Sequence, residues 1–409
     1  MLKSQMPHIG IFGKRNVGKS SFINTLAAQD VAIVSAQPGT TTDPVFKTME
    51  ITGLGPVVLI DTAGVDDVGD LGKQRVEKTY KVIKQINLAI IVFSGNDFSE
   101  DEFSLIEQLT TLKTPFFVVH NKSDLNFCSE ELRTKLQTDC GADVLEFSNS
   151  ILDSHQFEAI ITTIKKSLPD SQFNNPTILG DLVKYGDIVL LVTPIDVEAP
   201  KGRIIQPQVQ TIRDALDNDC VVMMVKEREL DLVIKKMGIR PNLVVTDSQV
   251  FLKVDASIPK DIPMTSFSIL FARLKGEFQA FLQGTRAISK LQQGDRILIL
   301  ESCSHHVSCD DIGRVKIPRW LEHFTGVKMH YDVVSGLAQI TRPITDYAIV
   351  IQCGGCMLTR KQVINKLAPA IEHGIPVTNY GMCIAYCHGI FERAVAPFLG
   401  DQSAHEDLL

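Results

Sequence analysis

The chain lacks any apolar run long enough to span a bilayer. Stretches such as Leu88–Phe93, Ile188–Val192 and Cys220–Val225 fall far short of the ~20 residues a span needs. A basic excess is also missing: Lys plus Arg is 41 against 48 Asp plus Glu, a net charge of −7. That disfavours a strongly basic nucleic-acid binder, and no basic, aromatic-interleaved stretch offsets it. Internal repeats, heptad arrays and low-complexity tracts are absent. Met1 leads almost directly into a structured motif, so no signal peptide is expected. The nine cysteines are odd in number, and without a secretion signal they do not read as a disulfide framework. The expectation is a cytoplasmic protein with no membrane and no nucleic-acid partner.

What is present is ordinary globular composition, 44% hydrophobic and 22% charged, long enough for two or three domains at roughly 150 residues each. The first part alternates short apolar runs (His8–Phe12, Val57–Ile60, Leu88–Phe93, Phe116–His120, Val144–Phe147) with helical patterns at Lys19–Ala28, Lys73–Ile86, Phe103–Thr111, Ser129–Cys140 and Ser154–Ser167. Such alternation predicts a mostly parallel, doubly wound sheet. Leu168–Pro176, rich in Pro, Asn, Asp and Ser, reads as a linker. Next come strands at Asp187–Val192, Cys220–Val225 and Asn242–Thr246 with helices at Gln206–Asn218 and Glu229–Lys236: a small α/β docking or dimerisation module. From about Ser266, Ile269–Lys290 reads as one long helix. Strands follow at Arg296–Leu300, Tyr347–Ile351 and Ile375–Thr378. The predicted domains are 1–170, 171–265 and 266–409, all α/β. The tail Gly400–Leu409 reads as disordered.

Gly13-Lys14-Arg15-Asn16-Val17-Gly18-Lys19-Ser20 fits G-x-x-x-x-G-K-S/T between a strand and a helix. Glycines let backbone N–H groups converge on phosphates, and the helix N-terminus that includes Ser21 adds its dipole. Lys19 should reach the β and γ phosphates, and Ser20 should ligate Mg2+. Asp61-Thr62-Ala63-Gly64 supplies a carboxylate for the Mg2+ shell and a Gly64 N–H that senses the γ-phosphate. In Asn121-Lys122-Ser123-Asp124, the Asp124 carboxylate can accept from guanine N1–H and the 2-amino group. Adenine would leave it unpaired, which discriminates strongly. Ser148-Asn149 offers a backbone amide to guanine O6. Within Gly39-Thr40-Thr41-Thr42-Asp43, Thr41 is the choice for the switch threonine on Mg2+.

Five motifs in this order resemble the G1 to G5 set of translation-factor-class GTPases, over Met1 to about Ser167, and imply GTP/GDP binding and hydrolysis. Lys19, Thr41 and Gly64 are the expected catalytic residues. Val65 stands where Ras-like proteins carry a glutamine, and an apolar side chain cannot orient the attacking water. Asp66 and Asp67 could position water, though a plain switch loop suffices for them. Asn16 matches the asparagine with which the TrmE–Era class helps coordinate K+, an ion that neutralises phosphate charge; it also suits a turn by local hydrogen bonding.

Six of the nine cysteines lie after residue 300. Cys128, Cys140 and Cys220 are widely spaced and read as inert. Cys303-Ser304-His305 and Cys353-Gly354-Gly355-Cys356 both follow predicted strands, where open α/β sheets bind ligands. Two cysteines two residues apart can place both sulfurs on one metal centre. The glycines permit a tight loop and N–H donation to sulfur. Three thiolates and a weaker fourth ligand suit a 4Fe–4S cluster. Cys303, His305, Cys353 and Cys356 also suit tetrahedral zinc, and a redox disulfide at the C-x-x-C pair is a third option.

A phosphate-loop GTPase, a docking module and then C-x-H…C-G-G-C resembles the FeFe-hydrogenase maturation GTPase family, HydF. That family's pattern is C-x-H, a long gap, then H-C-x-x-C, and the likeness extends to Asn379-Tyr380-Gly381. The resemblance implies a homodimeric scaffold with a 4Fe–4S cluster on Cys303, Cys353 and Cys356. It also implies delivery of a transient di-iron precursor to apo FeFe-hydrogenase, in concert with two radical-SAM maturases. Gln352 replaces the family's second histidine and is a poor iron ligand, so the fourth position falls to His305, a water or a carboxylate. Cys309, Cys383 and Cys387 read as small buried hydrophobes, and His306 and His388 as structural or solvent-facing. The competing reading is a TrmE- or Era-like RNA-associated GTPase with a structural Cys3His zinc site. GTP hydrolysis is expected to be slow and faster in K+ than in Na+; equal phosphate release in the two salts would remove the potassium role of Asn16.

Overall fold

The structure, a computed structural model, describes residues 6–27, 44–62, 64, 81–148, 154–168, 177–194, 204–302, 311–336 and 338–399. The chain divides into two compact units, Met1–Asn175 and Pro176–Leu409. Among the described residues no helix is long and apolar enough to cross a membrane.

The first unit is an α/β sheet of six strands: β1 (His8–Phe12), β2 (Val45–Ile51), β3 (Gly55–Asp61), β4 (Leu88–Ser94), β5 (Phe116–Asn121) and β6 (Val144–Phe147). Their order is β2-β3-β1-β4-β5-β6. Helices α1 (Lys19–Ala27), α2 (Glu100–Thr111), α3 (Glu130–Cys140) and α4 (Ser154–Ser167) belong to the same unit. Successive side chains point to opposite faces of a strand. Ile9, Ile11, Leu88, Ile90 and Val92 therefore enter one core with Phe22 and Ile160. Phe12, Ala89, Ile91 and Phe93 enter the other with Leu105 and Leu136. This two-sided burial explains the near-continuous apolar runs. Helix α2 begins in a capping box of Ser99 with Glu102, and α3 stops at Gly141 in the left-handed region.

Strand β2 was not among the expected elements. It pairs antiparallel with β3, from Val45↔Asp61 to Ile51↔Gly55, and is the edge strand of the sheet. Its exposed Val45 and Phe46 and its polar alternation mask the apolar signal. Of the expected helix Lys73–Ile86, residues 81–86 are described, and 81–83 are helical. Past Leu168, the expected linker lies outside the described residues, as does the tail from Gly400.

The second unit holds two four-stranded sheets, each parallel throughout. One contains β7 (Ile188–Thr193), β8 (Val221–Lys226), β9 (Leu243–Thr246) and β10 (Met264–Ser266). The other contains β11 (Arg296–Glu301), β12 (His330–Ser335), β13 (Ile349–Gln352) and β14 (Val377–Asn379). Their orders are β10-β9-β7-β8 and β12-β11-β13-β14. The helices are α5 (Gln206–Asp217), α6 (Phe251–Ser257), α7 (Phe267–Lys275), α8 (Phe278–Thr285), α9 (Ile317–Thr325), α10 (Arg360–Glu372), α11 (Tyr380–Cys387) and α12 (Phe391–Val395). Helix α7 serves both sheets. Phe267, Leu270 and Phe271 pack with Val189, Leu191 and Val245, while Ile269 and Ala272 join the core under β11 and β13.

The single helix expected over Ile269–Lys290 is instead three pieces: α7, α8 and a 3-10 turn at Arg286–Lys290. The break is at Gly276, which is extended at φ −110° and ψ −170°. A Cβ there would lie 2.2 Å from the Phe281 ring, so the glycine lets Phe281 fold back into the core. Within the expected helix Glu229–Lys236, residues 230 and 231 are helical and Leu232–Lys236 form a π-turn. The short β10, the half-exposed edge strand β12 and helix α6 gave no periodic signal.

Helix α8 lies directly on β14: a Cβ on Gly284 would stand 2.0 Å from Val377 O. In a helix interior, Gly→Ala ordinarily gains about 1 kcal/mol, but overpacking against backbone costs ~1–3 kcal/mol. Gly284→Ala should therefore lower the unfolding temperature of the full chain in a thermal melt; an unchanged or raised temperature would contradict this contact.

Candidate functional site

Strand β1 lies between β3 and β4, so chain connections leave it on both sides. Open parallel sheets bind ligands at such switch points, beyond the carboxyl ends of the strands. The 13–18 loop follows β1 there. Gly13 adopts φ 139° and Gly18 φ 93°; a Cβ would lie 2.0 Å from Val92 O or 2.3 Å from Asn121 Nδ2 respectively. Only glycine fits either place. Lys19 Nζ donates to Gly13 O at 2.7 Å and Lys14 O at 2.6 Å, which holds the ammonium inside the loop. Ser20 Oγ donates to Asp61 Oδ2 at 3.2 Å, which brings together two residues expected in the Mg2+ shell. Burial pushes the Asp61 carboxyl up, while Lys19 and the Ser20 hydrogen bond pull it back. Thr62 Oγ1 donates to Ile11 O at 2.6 Å, tying the segment that leads to Gly64 back to β1.

The guanine-side residues brace the phosphate loop. Asn121 Nδ2 donates to Val17 O at 2.8 Å, and Lys122 Nζ donates to Asn16 O at 2.8 Å. Asn16 has φ 63° and Lys122 φ 57°, and asparagine tolerates that left-handed region better than most residues. Asn16 thus has a conformational reason for its place apart from any ion. Ser148 Oγ donates to Asp124 Oδ1 at 2.6 Å, aligning the carboxylate expected to read guanine. Thr41, Asn149, Ala63, Val65, Asp66 and Asp67, with the rest of the 39–43 run, lie outside the described residues.

In the second unit, β11 lies between β12 and β13, which makes a second switch point beside Ser302 and Cys353. The register Leu300↔Gln352 sets these two loops side by side. Ser302 donates its backbone N–H to Cys353 Sγ at 3.0 Å, and its hydroxyl lies 2.8 Å from the same sulfur. Gln352 Nε2 approaches that sulfur at 3.6 Å and donates to Cys353 O at 3.2 Å. Glutamine therefore faces the thiol as a donor. Desolvation pushes the Cys353 thiol up, while hydrogen bonds from Ser302 and Gly355 favour the thiolate and pull it down; ionised Cys356 pushes it up. Lys275 Nζ donates to Gly355 O and Leu358 O, both at 2.8 Å, and to Cys356 O at 3.4 Å. Burial pulls the Lys275 ammonium down to about 8, against the raising effect of Cys356 and Cys353.

Cys303, His305, His306 and Cys309 lie outside the described residues, and among those described no group of three His, Cys, Asp or Glu forms a metal-binding set. A hydrogen bond with Cys387 and burial push the Cys383 thiol up. Burial raises Cys128, Cys140 and Cys220, which disfavours reactivity. His388 packs edge-on against Trp320. Ser302 and Lys275 were not foreseen. Lys275 had one signal: it sits three residues beyond Ala272, on the buried stripe of α7.

Residues 178–276 match the family model described as the hydrogen maturase F dimerization domain, and 279–397 the one described as its tetramerization domain. Together these span more than half of the chain. The chain belongs to the hydrogen maturase F family. Residues 8–122 match a model described as 50S ribosome-binding GTPase, so the chain of this maturase family carries a GTPase domain. The tRNA modification GTPase MnmE of Nitrosomonas europaea is 42% identical over 116 residues, 28% of this chain and 25% of that protein. MnmE of Oceanobacillus iheyensis is 29% identical over 180 residues, 44% of this chain and 37% of that protein. The chain thus spans well under half the length of these curated relatives. A substituted Era of Aquifex aeolicus, solved with GDP and aluminium fluoride, is 17% identical and covers 54% of this chain and 93% of its own, at a TM-score of 0.36.

Removing the hydroxyl that aligns Asp124 should weaken guanine binding. A hydrogen bond to a charged group contributes about 1.5–3 kcal/mol, so Ser148→Ala should raise the Kd for a fluorescent GDP analogue roughly tenfold or more. An unaltered Kd would show that Ser148 does not orient that carboxylate.

Proposed function

We propose that this chain is a GTP-hydrolysing scaffold and carrier for FeFe-hydrogenase maturation. It holds a 4Fe–4S cluster, accepts a transient di-iron precursor from the work of two radical-SAM maturases, and delivers it to apo FeFe-hydrogenase. Residues 1–170 turn over the nucleotide, 171–265 join two copies in a homodimer, and 266–409 hold the cluster. The observation that carries the reading is the meeting of the carboxyl ends of β11 and β13. There Cys353 Sγ meets N–H and hydroxyl donors from the residue preceding Cys303, in a chain of the hydrogen maturase F family.

For GTP, Lys19 neutralises the β and γ phosphates, and backbone N–H groups from Gly13 to Ser21 surround them. Ser20, Thr41 and Asp61 would hold Mg2+, and Asn16 would face K+. Gly64 N–H registers the γ-phosphate, so hydrolysis releases the switch loops and changes contact with a partner. Asn121, Lys122, Asp124, Ser148 and Asn149 form the guanine pocket. Cys303, Cys353 and Cys356 fit a thiolate-bound cluster because the described donors around Cys353 favour a negative sulfur. His305 or an exchangeable group takes the fourth position. When bound, the cluster supplies an open iron to which cargo can bridge.

Anaerobic incubation with iron and sulfide should give a brown protein with a broad band near ~400 nm, and Cys353→Ser should lose both iron and band. Protein that stays free of iron with every thiol reduced would end the carrier reading. A colourless protein with one zinc would instead favour the RNA-associated GTPase that the MnmE relatives' name suggests.

A further inference from the structure

Lys275 closes α7 and is 4% exposed. A buried ammonium is costly unless its donors and its charge are both met. Its three donors are met by three carbonyls of one loop, Gly355 O, Cys356 O and Leu358 O. That loop is the C-x-x-C turn and its continuation. Gly355 stands at φ 67°, where a Cβ would lie 3.1 Å from Val363 Cγ2 and 3.7 Å from Lys275 Cδ. The turn is thus pressed onto the lysine stem. Carbonyl dipoles do not neutralise a full charge. One of the three carbonyls belongs to Cys356 itself, which seats the ammonium beside the C-x-x-C turn. Lys366 is half-buried on the β12 side, bonded to Gly336 O at 2.5 Å and Val334 O at 3.4 Å, and makes no described hydrogen bond to this turn.

We infer that Lys275 is the positioning cation of the cysteine turn: clamped to three carbonyls, it fixes the spacing of Cys353 and Cys356 and supplies the charge that their metal-bound thiolates balance. This inference rests on the cluster reading above. The lysine arrives from the segment matched by the dimerization model, whereas the turn lies in the segment matched by the tetramerization model. The metal-binding turn is therefore shaped by a helix that also packs under β7 and β9.

The test compares the full chain with Lys275→Met, which keeps the stem and removes the charge, and Lys275→Arg, which restores the charge. Hydrogen exchange on the metal-free proteins should show faster exchange for amides 353–358 in the Met variant. After anaerobic loading, the Met variant should hold iron roughly tenfold more weakly, as expected when a group supporting metal ligands is lost. Its reduction potential should be more negative, and the Arg variant should recover part of both properties. GTP hydrolysis should be unchanged in both. Wild-type exchange, iron retention and potential in the Met variant would overturn the inference, as would a folded Arg variant indistinguishable from Met. If the unsubstituted chain takes up no iron, the cluster reading falls, and unaltered exchange in the Met variant would then overturn the positioning role separately.

Discussion

A parallel sheet covered on both faces can offer polar groups to a ligand only where its strands end. The fully buried β1 and β13, and β4 as far as Phe93, leave no room on their faces for a charge. Chemistry is therefore displaced into the loops that leave the carboxyl edge. Both candidate sites obey this constraint. The phosphate loop leaves β1, the Asp61 segment leaves β3, and the guanine-side residues leave β5 and β6. The cysteine turn leaves β13 beside the end of β11.

The two sites also share an electrostatic device. In each, a lysine ammonium is seated on carbonyls of the loop that it serves: Lys19 on Gly13 and Lys14, and Lys275 on Gly355, Cys356 and Leu358. A cation already seated in its loop is prepared for an anion before one arrives, which spares the reorganisation that water would need. In the first unit the anion is polyphosphate; in the second, on the cluster reading proposed above, it is thiolate sulfur. The sheet fixes where the loop starts, and the lysine fixes how it closes.

Much of this was legible in the residues because phosphate and guanine recognition need particular side chains at set spacings. The 13–20 run, Asp61, Asn121 and Asp124 could be placed with no knowledge of packing. Strand β2 could not, because an edge strand with one wet side has weak patterning. The break at Gly276 was hidden because its cause is the ring of Phe281 folding back. Lys275 was hidden for a related reason: a lysine at a helix end looks like a solvated charge until the tertiary structure buries it. Ser302 is equally plain in sequence and gains meaning only from the β11–β13 pairing.

That pairing has a consequence for how the protein tolerates change. Leu300 lies opposite Gln352, and two residues on from the one and one residue on from the other, Ser302 meets Cys353. Side chains on a strand alternate between faces with a period of two. One residue inserted or deleted within β11 would exchange the side chains presented by its two buried faces, and Ser302 would no longer meet the Cys353 sulfur. The strand thus works as a ruler with a fixed zero, and lineages of this chain should seldom change its length.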